Sequence, residues 1–216
     1  MSKTKSKILA AALQLFNQHG LINVRLQQIA DKVGISVGNL AYHYYSKKAI
    51  VKAIDQELSE EIAPFIAQDR LFLSLMDFDN HLARYYHLLS HHSFYFIDLL
   101  ELKRAYPKLY KKRETYSYKI ILQIENWFNF NEERGLIKKP IRPAHYKVIA
   151  HTIWMIITFW MTQPLDKGIP EERERIFKEV VWSQVLPYLT DCGRLEFDLM
   201  IERLLDSYNP ETEVKK

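Results

Sequence analysis

Apolar residues recur along this chain at intervals of three and four, and no alternating run bounded by hairpin turns interrupts them. The pattern predicts an all-α protein. Leu9, Ala12, Leu13 and Phe16 define one face of a first helix over roughly residues 4 to 19, closed by Gly20 after His19. The same spacing returns in Leu26, Ile29, Ala30 and Val33, and Gly34 then stands where a left-handed C-terminal cap is needed. Ser36 follows two residues later, with a hydroxyl suited to capping a helix from Val37 to about Tyr44. Ser46 is placed to cap a fourth helix that carries Ile50, Ile54, Leu58 and Ile62 on one face and ends near Pro64. Tyr45 and Ile50 are spaced as a hydrophobic staple at its start.

Beyond Pro64, Leu82, Tyr85, Tyr86 and Leu89 continue the helical period. A segment opened by Pro107 carries Ile120, Ile124 and Trp127 and stops at Gly135. Another helix is expected to start near Pro143 and to carry the apolar stretch from Val148 to Met161. That stretch holds His151, Thr152 and Thr158 and falls short of the roughly 20 residues a bilayer crossing requires. No signal peptide is read near Ile8 to Leu15 either, so no membrane partner is expected. Two further helices run through Phe177, Val180, Val181, Gln184, Val185 and Tyr188, and through Phe197, Met200, Ile201, Leu204, Leu205 and Tyr208. The tail after Asn209 is polar and reads as frayed.

Composition narrows the class. With 216 residues and 48% apolar content the chain can bury a sizeable core, and a single cysteine, Cys192, cannot close an intrachain disulfide. A reducing, cytoplasmic address is the simplest expectation, with a cross-link to a second copy as the alternative. The formal charge of +4 is unevenly placed. Residues 1 to 52 hold Lys3, Lys5, Lys7, Arg25, Lys32, Lys47, Lys48 and Lys52 against Asp31 alone, a balance of +7, which leaves −3 for the other 164 residues. The asymmetry points to an N-terminal module that meets a polyanion.

A short helix, a glycine-containing tight turn and a second short helix in a basic segment make a helix-turn-helix, whose second helix enters the DNA major groove. The run GISVGNLAYHYYSKKAIVKAI, with ILAAALQLFNQHG and LQQIADKVG before it, resembles the tetracycline-repressor (TetR) family over about residues 4 to 54. The resemblance implies a DNA-binding domain of three helices and the start of a fourth at residues 1–54. It implies a larger helical domain at 55–216 that dimerises through its last two helices and takes a small-molecule effector.

It also implies that Ser36, Gly38, Asn39, Tyr42, His43 and Lys47 touch phosphates or base edges, with Gln27 and Gln28 behind them. The chemistry agrees: Asn39 donates and accepts at a base edge, Tyr42 and His43 reach phosphate or a thymine methyl, and Lys47 adds a cation at a helix N-terminus. Two positions depart from the family. Arg25 and Leu26 stand where threonine is usual, so Arg25 is expected to replace a backbone contact, and Ala41 stands where tyrosine is usual. Tyr44 reads as core. Lys3, Lys5 and Lys7 read equally as a solvated tail or as an arm on the phosphates.

In the larger part, Tyr86, Phe94, Trp127, Trp154 and Trp160 are candidates for an aromatic effector pocket, although core packing explains any one of them as well. His87 and His91 share i, i+4 spacing, as do Asp77 and His81, yet no third ligand is legible, so no metal and no other cofactor is expected. Gly34 and Gly38 are assigned to the turn, and no phosphate-cradling loop, nucleophile elbow or Cys-x-x-Cys pair is found, so no catalytic residue is assigned. Cys192 reads as inert or as a redox sensor. The expected protein is a homodimeric, ligand-responsive transcription regulator, most simply a repressor of an inverted-repeat operator in double-stranded DNA. An activator with the same contacts, an all-helical enzyme with a basic tether and a nucleoid-type protein without sequence preference are the competing readings.

Overall fold

The computed structural model describes residues 2–67, 74–163 and 170–208, without the side chains of residues 170–171 and 205–208. The expected tail after Asn209 lies outside the described residues, as do the side chains of Leu205 and Tyr208. The fold is all-α, with eleven α-helices among the described residues: α1 (Lys3–His19), α2 (Leu26–Val33), α3 (Val37–His43), α4 (Lys47–Ile66), α5 (Leu75–His91), α6 (Phe94–Ile97), α7 (Leu99–Ala105), α8 (Pro107–Glu133), α9 (His145–Phe159), α10 (Pro170–Trp182) and α11 (Asp191–Tyr208). They form two compact units. One comprises Met1–Gln68, His87–Tyr118 and Thr158–Pro164, the other Asp69–Tyr86, Lys119–Ile157 and Leu165–Lys216. The division expected at residue 54 falls inside α4, which runs unbroken past it.

The first unit is built on the faces the periodicity marked. Ile8, Ala12 and Phe16 of α1, Ile29 and Ala30 of α2, Leu40 of α3, and Ile50, Val51 and Ile54 of α4 are all fully buried. α1 packs on α2 and α4, and α2 on α3. Burial of Leu40 stabilises by roughly 1.5–3 kcal/mol, which matters for a seven-residue helix too short to persist on its own propensity. Phe94 of α6 is also fully buried and meets Phe16 with ring centroids 5.3 Å apart.

The second unit has an aromatic centre. Phe78 stacks on Trp127 at 4.4 Å and meets the edge of Trp182 at 5.3 Å, and Trp182 in turn contacts Phe197 at 4.9 Å. Asp79, 2% exposed, accepts the Trp182 indole N–H at 3.0 Å and pairs with the Lys178 ammonium at 2.5 Å. At the start of α11, Thr190 Oγ1 accepts the Gly193 N–H at 3.1 Å and donates to the Gly135 carbonyl at 2.7 Å. A Cβ on Gly193 would lie 2.1 Å from the Leu136 carbonyl oxygen, so only glycine permits this approach.

Three local expectations are corrected. The helix read through Tyr188 ends at Trp182, because Pro187 has no N–H to give and its ring opposes the carbonyl four residues back; Leu186–Tyr188 forms a 3-10 turn instead. Tyr45 does not bury itself as a staple on α4: it is 84% exposed, whereas Ile50 is fully buried. Lys3, Lys5 and Lys7 are neither tail nor free arm: they lie in α1, whose first turn is capped by Ser2.

Candidate nucleic-acid interface

α2 and α3 are set by their caps. Gly34 adopts φ 74°, ψ 37°, its N–H bonds back to the last turn of α2, and the Ile35 N–H reaches the Ala30 carbonyl at 3.0 Å. That left-handed closure turns the chain within two residues into Ser36, whose Oγ accepts the Asn39 N–H at 3.1 Å. Leu40 is then driven inward, and the opposite face of α3 is left in solvent. Ser36, Gly38, Asn39, Ala41 and Tyr42 are exposed, Tyr42 at 85%, and His43 is half-buried with its ring edge-on to Tyr42 at 5.3 Å. Tyr44 is 8% exposed, with its phenol raised above the usual pKa by burial and Glu57, and the Lys5 ammonium lies 5.9 Å from its ring centroid.

Gly38 is not a turn residue, contrary to the sequence reading. It is the second residue of α3, and an added Cβ there would meet only Ser36 Oγ at 3.9 Å, an ordinary contact. The fold does not require glycine at this exposed position. Arg25, Gln27 and Gln28 on α2 are exposed as well, but two have work within the chain. Gln28 Oε1 accepts the Arg25 N–H at 2.7 Å, and Gln27 Nε2 donates to Asp31 at 2.6 Å.

Lys47 is placed differently from its expected role as a cation on the DNA. Its Nζ donates to the carbonyls of Leu21 at 2.9 Å, Ile22 at 3.2 Å and Val24 at 2.9 Å, so all three N–H bonds close the turn between α1 and α2. Burial lowers its pKa below the usual lysine value. The neighbouring Lys48 is exposed at the N-terminus of α4, and Lys3, Lys7, Arg25, Lys32 and Lys52 are exposed elsewhere in the module. The same α1–α2 turn is held from the other side by Asp98, whose carboxylate accepts the Leu21 N–H, and Asn17 bridges the His91 carbonyl at 2.8 Å and the Phe94 N–H at 3.1 Å. Neither Asp98 nor Asn17 carries a sequence signal that would single it out.

The five aromatic pocket candidates are divided between the two units. Phe94 and Trp160 belong to the first unit and are buried; Tyr86, Trp127 and Trp154 belong to the second. Tyr86 packs on Phe177 at 5.7 Å, Trp154 is half-buried, and Trp127 is 1% exposed with no acceptor for its indole N–H among the described residues. A cavity of about 280 Å³ in the second unit is lined instead by Glu125, Asn129, Pro140, Arg142, His145 and Tyr146 among others. The His87–His91 spacing does not define a cluster either; the side chains that converge are Glu61, His91 and His92.

A basic helix-turn-helix whose second helix is anchored by one leucine and offers an exposed polar and aromatic face defines a DNA-binding transcription regulator. Residues 8–54 match the family model described as bacterial regulatory proteins, tetR family, and residues 55–197 match one described as bacterial transcriptional repressor. The chain belongs to the tetR family of bacterial regulatory proteins. It is similar to the transcriptional regulator RutR of Escherichia coli (strain K12), 41% identical over 58 residues that make up 27% of each chain. It is also similar to UidR of the same strain, 37% identical over 57 residues, 25% of this chain and 29% of that one. The match thus spans little more than a quarter of these relatives' lengths.

Solved structures extend the likeness to nearly the whole chain. A TetR-family regulator from Marinobacter aquaeolei VT8 superposes with a TM-score of 0.80 at 27% identity, covering 93% of this chain and 98% of that one. A regulator from Saccharomonospora viridis, solved in complex with choline, shares the fold at a TM-score of 0.61 and 17% identity, over 84% of this chain and 96% of that one. Among the described residues no helix is long and apolar enough to cross a membrane.

Proposed function

We propose that this chain is a homodimeric, ligand-responsive repressor, acting in the cytoplasm without catalysis, that binds an inverted-repeat operator with one α3 per subunit. The observation that carries the reading is the exposed face of α3. Asn39 and Tyr42 stand free at the end of a capped turn, beside a glycine the fold does not need, and a basic module surrounds them. Asn39 reads a base edge, Gly38 lets the DNA come close, and Ser36, Tyr42 and His43 meet phosphates or a thymine methyl. Arg25 reaches the backbone from α2, with Gln27 and Gln28 flanking it. With the Lys47 ammonium committed to three carbonyls, Lys48 supplies the cation at the α4 N-terminus.

Residues 1–54 serve DNA and 55–216 serve effector and partner. Two-fold pairing would set the α3 helices about 34–36 Å apart, or a multiple of that, to enter major grooves on one side of the duplex. Exposed large apolar side chains that could serve such pairing include Val148, Met155 and Phe159 on α9 and Leu195 and Leu199 on α11, although Leu100 on α7 and Tyr118 and Leu122 on α8 are exposed as well. Of the two helices expected to pair, α10 contributes none among the described residues. An effector that fits better when the recognition helices are badly spaced lowers operator affinity by linkage.

The test is a gel shift of the full chain against DNA flanking its own gene, with random DNA as competitor, alongside light scattering of the free protein. Specific binding at least about 10³-fold above nonspecific, by a dimer, is the expected result. A monomer at micromolar concentration, or no preference for any flanking site, would overturn the reading.

A further inference from the structure

We propose that Glu61, His91 and His92 form a site for one divalent transition-metal ion of the Zn²⁺ class, which ties the second half of α4 to the turn between α5 and α6. Glu61 lies on α4, His91 is the last residue of α5, and His92 follows it with its side chain 1% exposed. One ligand atom from each of the three lies within 4.8 Å of the others. The Glu61 carboxylate and His92 Nε2 are 3.2 Å apart, and the His91 ring stands edge-on to His92 with centroids 4.7 Å apart.

These spacings suit a metal. With bond lengths of about 2.0–2.2 Å to imidazole nitrogen and carboxylate oxygen, neighbouring donors around a tetrahedral ion sit roughly 3.3–3.4 Å apart. The Glu61–His92 pair is already at that separation. The third donor belongs to His91, which is exposed and free to close on the same point by side-chain rotation. A hydrogen bond between His92 and Glu61 accounts for those two residues, and the adjacent residue in the chain, His91, puts a second imidazole within reach of the same point. Two imidazoles and one carboxylate select a first-row transition ion over Mg²⁺ or Ca²⁺, which take oxygen ligands. Water completes the coordination.

The scaffold is rigid where a site needs it to be. The Asn17 amide holds both the His91 carbonyl and the Phe94 N–H, and the His92 N–H bonds to the Leu88 carbonyl at 3.1 Å, so the ligand-bearing turn is fixed from two sides. Glu61 projects from a continuous helix. No residue of the exposed α3 face takes part, so the site stands apart from DNA recognition and its occupancy is measurable without DNA.

The experiment is titration of the tag-free, chelator-treated full chain with Zn²⁺ by calorimetry, and with Co²⁺ followed by visible absorption. One ion per chain is expected, with His91→Ala and Glu61→Gln each weakening affinity at least tenfold and His87→Ala leaving it unchanged. Both ligand side chains are exposed, and equal melting temperatures of the variants without metal check that they fold. Zn²⁺ is expected to raise the melting temperature of the parent chain but not of His91→Ala. No stoichiometric binding, or binding indifferent to His91→Ala and Glu61→Gln, would overturn the proposal.

Discussion

Asp98 reaches across 77 positions of sequence to accept the backbone N–H of Leu21 at 2.5 Å. Leu21 thus has its amide held by a carboxylate and its carbonyl held by the Lys47 ammonium. The turn joining α1 to α2 is closed by two opposite charges from outside it, and Gly20, at φ 79°, makes the conformation accessible.

Replacing Lys47 with methionine keeps most of the packing and removes three hydrogen bonds, two of them part-buried. Loss of about 2–3 kcal/mol in urea-unfolding stability is expected, since buried carbonyls are left without donors. The slope of log affinity for DNA against log salt should stay as it is for Lys47→Met and shrink by about one for Lys48→Ala. The reverse assignment of slopes would restore Lys47 to the phosphates.

Gly38→Ala separates fold from function. Alanine in a helix is favoured over glycine by about 0.5–1 kcal/mol, and the Cβ has room, so the variant should melt slightly higher than the parent. Its operator affinity should fall at least tenfold if, as proposed, DNA closes on this face of α3. Gel shift and thermal melting on the same preparation decide the matter.

Asp79 is buried between the Lys178 ammonium and the Trp182 indole. Asp79→Ala strips the compensation from a lysine that is only 19% exposed, and a destabilisation of about 3–5 kcal/mol is expected. Asp79→Asn, which keeps an acceptor for Trp182, should cost less. Equal losses would mean that the charge pair, not the indole bond, dominates.

His81 is buried, and burial together with Arg84 pushes its imidazole pKa down to about 3. The unfolded chain binds a proton near pH 6.5 that the folded chain refuses. Stability is therefore full above about pH 6.5 and declines as pH falls towards 3. At pH 5 the deficit from this one group is about 2 kcal/mol. His81→Gln should flatten that part of the pH–stability profile, measured by chemical unfolding between pH 5 and 8.

The helices that carry recognition were legible because their signals are local. Apolar residues three and four apart, a glycine at the end of α2 and serines at the starts of α3 and α4 depend only on neighbours in sequence. What was not legible depends on distant partners. Nothing in the sequence shows that Lys47 turns back to three carbonyls while Lys48 faces solvent, because both are lysines at a helix start. Asp98 and Asn17 act across 77 and 74 or more positions, and the Glu61–His92 approach spans 31, beyond any periodic window. Helices α6 and α7 escaped because each is too short to show a period. Composition says nothing of which unit an aromatic residue packs in: Phe94 is buried in the first and Trp127 in the second.

α4 is one continuous run of twenty residues, with Pro64 in its last turn and Ser46 and the end of α3 immediately before it. Between Glu61 and Lys47 it spans about 21 Å at 1.5 Å per residue. A tilt of about 5° pivoting near Glu61 carries the Lys47 end sideways by nearly 2 Å on that arm. In the proposed dimer the displacement enters twice, once per subunit. So small a tilt at Glu61 would therefore alter the separation of the two recognition helices by a base-pair step, about 3.4 Å.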